Sequence, residues 1–344
     1  MSATKENYTT ERFSSLWHSV GGGDRISSVE TLQIEKLRSV FRLHFANGHP
    51  PVIAKHCPAA DAEREHLAYH DVLPSFGIIG PKSYGLIHDD NNSNKRRSWL
   101  FIEHIGGRLY DASDKEHQLL AGKWLAKLHT AGSRHPNVFN INNRSSEHYG
   151  TFVDTCIQIL SHQCQNDDLT NQERALLKRI HDFCITLKGH WPDIEAFCKS
   201  MPQTLMHGDF KEDNMRVVDT DRGPEIIAFD WANSGWGAPG LDIAKFTGYS
   251  VSPALQPYLR MCLQHWPTID KAAIVRMGYV GEIFRWSETI RWHADELNYG
   301  RKLSVMASMP VYAVWMEEIN RMAPWKETDL VMSGRWRPVK KHWR

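Results

Sequence analysis

His207 to Asn214 reads HGDFKEDN, and Asp230 closes the apolar run IIAFD. Phosphoryl transfer needs a carboxylate that accepts a proton from, or orients, a hydroxyl, together with an amide oxygen and a second carboxylate that hold magnesium against nucleotide phosphates. Asp209, Asn214 and Asp230 supply these groups in that order. The spacing HxDxxxxN sets Asp209 and Asn214 at two ends of one loop, so both side chains can converge on one phosphoryl group. The apolar run before Asp230 predicts a strand that ends at the metal.

The elements that must position these residues are legible as turn and cap signals. Thr31 to Glu35 is expected as a first strand, preceded by a flexible entry at Gly21 to Gly23. Val40 to Ala46 alternates apolar and polar residues, Asn47-Gly48 predicts a tight hairpin, and Pro51 to Ala54 predicts the strand that delivers Lys55. Asp61 is placed as the cap of a helix that carries Glu63 and Glu65 and runs to about Leu73, where Pro74 ends it. Strands are expected over Lys82 to Ile87 and Trp99 to Ile105, separated by the polar insert DDNNSNKRRS. Gly106-Gly107 marks a boundary between 1–105, with a hinge at about 102–107, and a mainly helical 106–344. Ser113 with Glu116 and Thr170 with Glu173 make capping boxes before helices to about His129 and Leu187. Short strands at Thr204 to His207 and Met215 to Val218 flank the loop, a third at Glu225 to Phe229 follows DTDRG, and Pro253 to Trp325 has helical apolar spacing.

Composition sets bounds on partners. The 344 residues are 41% hydrophobic and 24% charged, ordinary for a globular chain long enough for two modules. Lys plus Arg total 41 against 40 Asp plus Glu, so no global charge draws the chain to nucleic acid or a membrane. The stretch MSATKENYTTERF has no apolar core of the signal-peptide kind and no apolar run approaches spanning length, which predicts a cytoplasmic protein. Six scattered cysteines without a CxxC pair read as small buried hydrophobes. The tail RWRPVKKHWR reads as a solvated or locally docked end.

On Lys55 with Glu65, on Leu205 to Asn214, and on Ile227 to Phe246, the chain resembles the aminoglycoside phosphotransferase and choline kinase-like family. In the last segment PGLDIAKF is similar to that family's GxxxxDxA pattern around Asp242, and the order of elements is similar from about Ser28 to Ala323. The resemblance implies an α+β, protein-kinase-like two-lobed fold, with a small N-terminal antiparallel sheet and one helix before a larger, mainly helical lobe. It also implies roles. Asp209 would be the catalytic base or would orient the acceptor hydroxyl, and Asn214 and Asp230 would ligate magnesium. Lys55, oriented by Glu65 in preference to Glu63, would hold the phosphates of ATP or GTP, and the main chains of Glu103 and Ile105 would bind the base. His207 and Asp242 would brace the catalytic loop. Lys211 stands where protein kinases carry a lysine on the transferred phosphate, with a solvent-facing lysine as the equal alternative. The expected phosphate-covering loop, Glu35 to Val40, holds no glycine; main-chain amides from Lys36 to Ser39 would take its place, with Ser39 the chosen residue.

The function expected from this set is a kinase acting on a small-molecule hydroxyl, aminoglycoside-like or an amino alcohol or sugar, as a monomer or homodimer. A protein kinase is the second reading, and only eleven residues between Asp230 and Asp242 count against it. A pseudokinase that binds nucleotide without catalysis is the third. Trp286, Trp292, Trp315 and Trp325 read as core more than as a cage for an ammonium group, and Glu282, Glu288, Asp295 and Glu296 as partners of Arg285 and Arg291 more than as an amine site.

Overall fold

A computed structural model describes residues 8–35, 37–89, 96–135, 141–247, 255–298, 302–323 and 325. Lys36, residues 90–95 of the polar insert and the basic tail at 335–344 lie outside the described residues.

The chain divides into two compact units, and neither is one continuous stretch. The first comprises Met1–Ala112 with Asp209–Ser234, and the second Ser113–Gly208 with Gly235–Arg344. This differs from the linear division at residue 106, because the segment holding Asp209, Asn214 and Asp230 packs with the N-terminal residues. The pairing of strands explains it: Arg108 and Leu109 lie antiparallel to Val217 and Arg216.

In the first unit, helix α1 (Thr10–Ser19) is capped by the Thr9 hydroxyl, which accepts from the Arg12 N–H. Five strands follow, β1 (Ile26–Ile34), β2 (Ser39–Phe45), β3 (Val52–Pro58), β4 (Ser83–His88) and β5 (Arg97–Glu103), in the antiparallel order β1-β2-β3-β5-β4. Phe13 and Trp17, one turn apart on α1, bury themselves against Phe41, Leu43, Phe45, Trp99 and Phe101 of the sheet. The β2–β3 connection is wider than a two-residue hairpin, since the paired register stops at Leu43 and Val52. Pro50 and Pro51 lack the N–H groups that would extend the ladder toward Asn47-Gly48.

Helix α2 (Ala59–Leu67) follows β3 without a side-chain cap. Asp61 does not cap it; its carboxylate is engaged by Arg38 and Arg64 instead. The helix widens into a π turn over Ala68–Val72 and finishes as α3 (Leu73–Ser75). The helical run ends at Ser75, one residue past Pro74. Strands β6 (Arg108–Leu109), β8 (Met215–Thr220) and β9 (Gly223–Ala228) complete the unit as a second sheet.

The second unit is helical: α4 (Lys115–Gly132), α5 (Ser146–Gln163), α6 (Asn171–Gly189), α7 (Trp191–Ser200), α8 (Gly240–Thr247), α9 (Leu255–His265), α10 (Lys271–Leu297) and α11 (Lys302–Met322). Strands β7 (Thr204–Met206) and β10 (Gly235–Gly237) pair within it. Thr170 and Glu173 form the expected reciprocal capping box, whereas α4 is capped by Asp114 in place of Ser113. The Asp114 carboxylate reaches the Glu116 and His117 N–H groups. Gly240 of α8 and Gly281 of α10 meet backbone to backbone, an approach that a Cβ on either would block. Among the described residues, no helix is long and apolar enough to cross a membrane. All six cysteines are free thiols, and burial pushes those of Cys57, Cys198 and Cys262 up to about 12, which keeps them protonated and inert.

Candidate active site

Lys55, Glu65, Tyr69 and Asp230 form a closed circuit within the first unit. The Lys55 ammonium donates to Glu65 Oε1 at 2.5 Å and to Asp230 Oδ1 at 3.1 Å. Tyr69 Oη donates to Glu65 Oε2 at 3.2 Å and accepts the Asp230 backbone N–H at 2.9 Å. Glu65 and Tyr69 lie four residues apart on one helix face, and Tyr69 falls in the π turn, a distortion that recurs at functional sites. Glu65 is 1% exposed and Lys55 9%, so both charges depend on this circuit for compensation. Burial pushes the Lys55 pKa down, but Glu65 and Asp230 outweigh it and hold the ammonium above the ordinary lysine range. The choice of Glu65 over Glu63 matches this geometry; Glu63 lies 3.8 Å from His88 on an exposed edge.

Asp230 has φ 68 and ψ 66, left-handed backbone that costs a non-glycine residue on the order of 1 kcal/mol. Aspartate is among the side chains that tolerate this region best. The hydrogen bond to Tyr69 supports it from behind, while the side chain stays 24% exposed. The register Met215↔Ala228 of β8 and β9, with the Phe229 N–H donating to the Asn214 carbonyl, brings Asn214 to the same end of the hairpin as Asp230.

Asn214 Nδ2 donates to the Asp209 carbonyl at 2.9 Å and to Asp209 Oδ2 at 3.0 Å. Its nitrogen is thereby committed to Asp209, and its oxygen is the group it can offer a ligand. One amide oxygen and one carboxylate make a hard oxygen pair that suits magnesium, which keeps several waters and takes further oxygens from phosphates. Among the described residues no three His, Cys, Asp or Glu side chains cluster as a metal site, so a zinc-type cage is not what these residues build. The Lys211 ammonium lies 2.7 Å from Asp209 Oδ2, with its side chain still 39% exposed to solvent.

In the second unit a buried carboxylate organises the residues just ahead of Asp209. Asp242 accepts the His207 N–H at 2.7 Å and the Gly208 N–H at 2.8 Å. His129 Nε2 lies 3.2 Å from Asp242, and His129 Nδ1 is 2.8 Å from the Tyr258 hydroxyl. Burial pushes the Asp242 pKa up, but the hydrogen bond and charge of His129, with the Gly208 N–H, hold it below the ordinary carboxylate value. Gly208 has φ 82, and glycine lets the chain turn there with both amides aimed at one carboxylate. His207 is fully buried, with its ring edge-on to Trp124, in keeping with support and not chemistry.

The Ser39 side chain turns into the core, whereas the role expected of Ser39 is that of its main-chain amide. Residues 39, 41, 43 and 45 are buried while 40, 42 and 44 are half-buried, so period-two alternation turns Ser39 into the core, with its hydroxyl 3.2 Å from Tyr8. Arg38 occupies the other parity. Its guanidinium lies 3.3 Å from Asp61 and 3.7 Å from Asp230. The Glu103 N–H donates to the Lys82 carbonyl at 2.8 Å. Trp286 and Trp325 are core residues, packed on Tyr312 with Phe183 and on His190 respectively, while Trp292 is 55% exposed. Glu288 pairs with Arg144 at 3.1 Å rather than along its own helix, and Arg291 covers the Phe152 ring.

Tyr69, Arg38 and His129 were not identified from sequence. Their signals were present: Tyr69 and His129 lie at helical spacing from Glu65 and Leu125 respectively, and Arg38 has the strand parity that Val40 shares with Lys55.

The model of the phosphotransferase enzyme family matches residues 32–274. No curated protein sequence matches the chain. Solved structures share its fold at low identity. A mutant aminoglycoside 2'-phosphotransferase in complex with GDP has a TM-score of 0.61 at 11% identity, covering 92% of this chain and 100% of that one. Choline kinase from Cryptosporidium parvum has a TM-score of 0.60 at 14% identity, covering 91% and 96%. A spectinomycin phosphotransferase in complex with ADP and spectinomycin has a TM-score of 0.58 at 13% identity, covering 91% and 100%. The fold is therefore the α+β, protein-kinase-like fold of small-molecule kinases.

Proposed function

The chain belongs to the phosphotransferase enzyme family, and from that premise we propose that it transfers the terminal phosphoryl group of ATP or GTP to a hydroxyl on a small molecule. The observation that carries this reading is that one compact unit holds both Lys55 on Glu65 and Asp230, at 2.5 and 3.1 Å, and Asn214 on Asp209, at 3.0 Å.

Asp209 orients the acceptor hydroxyl and takes its proton late, since a loose phosphoryl-transfer transition state needs little early proton removal. Asn214 fixes the Asp209 carboxylate through its amide nitrogen, and Lys211 adds positive charge on the same oxygen. That charge lies where equatorial phosphoryl oxygens would develop charge. Lys55 holds nucleotide phosphates, positioned by Glu65 and Tyr69. Asn214 and Asp230 would hold magnesium, which neutralises phosphate charge when bound. The main chains of Glu103 and Ile105 would bind the base, and Asp242 fixes the turn at His207 and Gly208.

A small acceptor is favoured over a peptide by the chain between Asp230 and Asp242. A 3₁₀ turn (Trp231–Asn233), β10 and the start of α8 use it up, leaving no length for an activation segment. Spectinomycin, choline and an aminoglycoside, for which the similar structures are named, define the first panel to test. The direct experiment is nucleoside-diphosphate release from ATP and from GTP, with magnesium, across aminoglycosides, amino alcohols and sugars. Acceptor-dependent release supports the proposal, and release from no acceptor with either nucleotide contradicts it.

A further inference from the structure

The loop between β1 and β2 has no glycine, so its main chain has no obvious means of wrapping phosphates. The Glu35 N–H donates to the Arg38 carbonyl at 2.7 Å, and Arg97 donates to the Leu37 carbonyl. We infer that Arg38 is the phosphate-binding residue of this loop, with its guanidinium doing for the terminal phosphates of the nucleotide what loop amides do elsewhere; the inference rests on the kinase reading above.

Three observations carry it. Val40 pairs directly with Lys55, so the two side chains share a face of the sheet, and Arg38 lies two residues before Val40 on that same face. The two cations then bracket one carboxylate: Lys55 sits on Asp230 Oδ1 at 3.1 Å and Arg38 faces Oδ2 at 3.7 Å. Finally, Arg38 is aimed by a built support. Asp61 Oδ2 takes Arg38 at 3.3 Å, Asp61 Oδ1 takes Arg64 at 2.5 Å, and Arg64 Nε donates to the Ala232 carbonyl at 2.8 Å, two residues past Asp230.

The distances decide which contact is fixed and which is exchangeable. At 3.7 Å the approach to Asp230 is too long for a hydrogen bond, whereas the approach to Asp61 is within range. Arg38 is therefore anchored on one edge, with the other edge held toward Asp230 only by charge. Its side chain is 32% exposed, so that edge can be reached. A guanidinium fork matches phosphate oxygens in geometry and charge better than a lysine does. The local charges also balance, with Arg38, Lys55 and Arg64 against Asp61, Glu65 and Asp230. Removing Arg38 leaves a net negative site for a polyphosphate.

The test is calorimetric titration of the full chain and of its Arg38→Ala and Arg38→Lys variants, with magnesium. The titrants are ATP, ADP and adenosine, and in parallel GTP, GDP and guanosine. Arg38→Ala is expected to weaken di- and triphosphate binding by roughly tenfold to a hundredfold, the range of one or two charge-assisted hydrogen bonds, with nucleoside affinity and the thermal midpoint unchanged. Arg38→Lys is expected to recover part of the loss. Equal triphosphate affinity in wild type and Arg38→Ala overturns the inference, as does a parallel loss of nucleoside affinity, which would mark Arg38 as structural. Wild-type protein that binds neither nucleotide series removes the kinase reading itself, a result distinct from both.

Discussion

The Tyr69 hydroxyl accepts the backbone N–H of Asp230 at 2.9 Å and donates to Glu65 at 3.2 Å, so one phenol links the helix that orients Lys55 to the left-handed turn that presents the second carboxylate. Neither end is held by a cation alone.

Tyr69→Phe should therefore cost about 1–2 kcal/mol, the value of a buried hydrogen bond with one partner left unsatisfied. The Asp230 turn would also lose its support, so nucleotide affinity should fall along with the unfolding midpoint. Denaturant unfolding of the variant checks this; wild-type stability would mean that Asp230 holds its backbone without Tyr69.

Lys55→Met should remove activity and destabilise the fold by about 3–5 kcal/mol, because Glu65 is left buried without its cation. Adding Glu65→Leu should restore much of the stability and none of the activity. Equal stability of the single and double variants would show that Glu65 finds compensation elsewhere.

His148 gives a pH dependence. Burial first, then Arg144 and Arg291, hold its pKa down at about 4, against about 6.5 for an unfolded histidine. Between these values the unfolded chain binds a proton that the folded chain refuses, so stability is full above the upper value and is lost as pH falls toward the lower one. His148→Gln should flatten that acid decline and leave stability at pH 8 close to wild type. Denaturant midpoints measured from pH 4 to pH 8 test it, and an unchanged slope would assign the decline to another group.

What was legible in the sequence followed locality. HGDFKEDN, Asp230 and the Thr170 and Glu173 cap each express their geometry within a few residues, and strand, loop or cap formed as the spacing dictates. Helix α1 was missed although Phe13, Leu16, Trp17 and Val20 have helical spacing, because the segment around them is polar and short. Asp61 was misassigned because two arginines, 3 residues away and 23 residues away, compete for its carboxylate more strongly than helix amides do. Tyr69 and Asp230 are 161 positions apart, a relationship that only the fold creates. That Arg38 has the strand parity of Lys55 follows from the phase fixed through Val40, but the pairing partner is itself a tertiary fact.

The most direct test of the central claim is acceptor phosphorylation by Asp209→Asn beside wild type, followed by ³¹P NMR of the phosphomonoester formed from ATP or GTP. Asn214 and Lys211 hold Asp209 at hydrogen-bond distance on one oxygen, and general-base positioning of this kind contributes about 10²–10⁴ in rate. Wild type should form a phosphomonoester with at least one hydroxyl acceptor, and Asp209→Asn should form it at least about 10²-fold more slowly while binding nucleotide within a few-fold of wild type. Product formed at equal rates by both proteins would contradict the account.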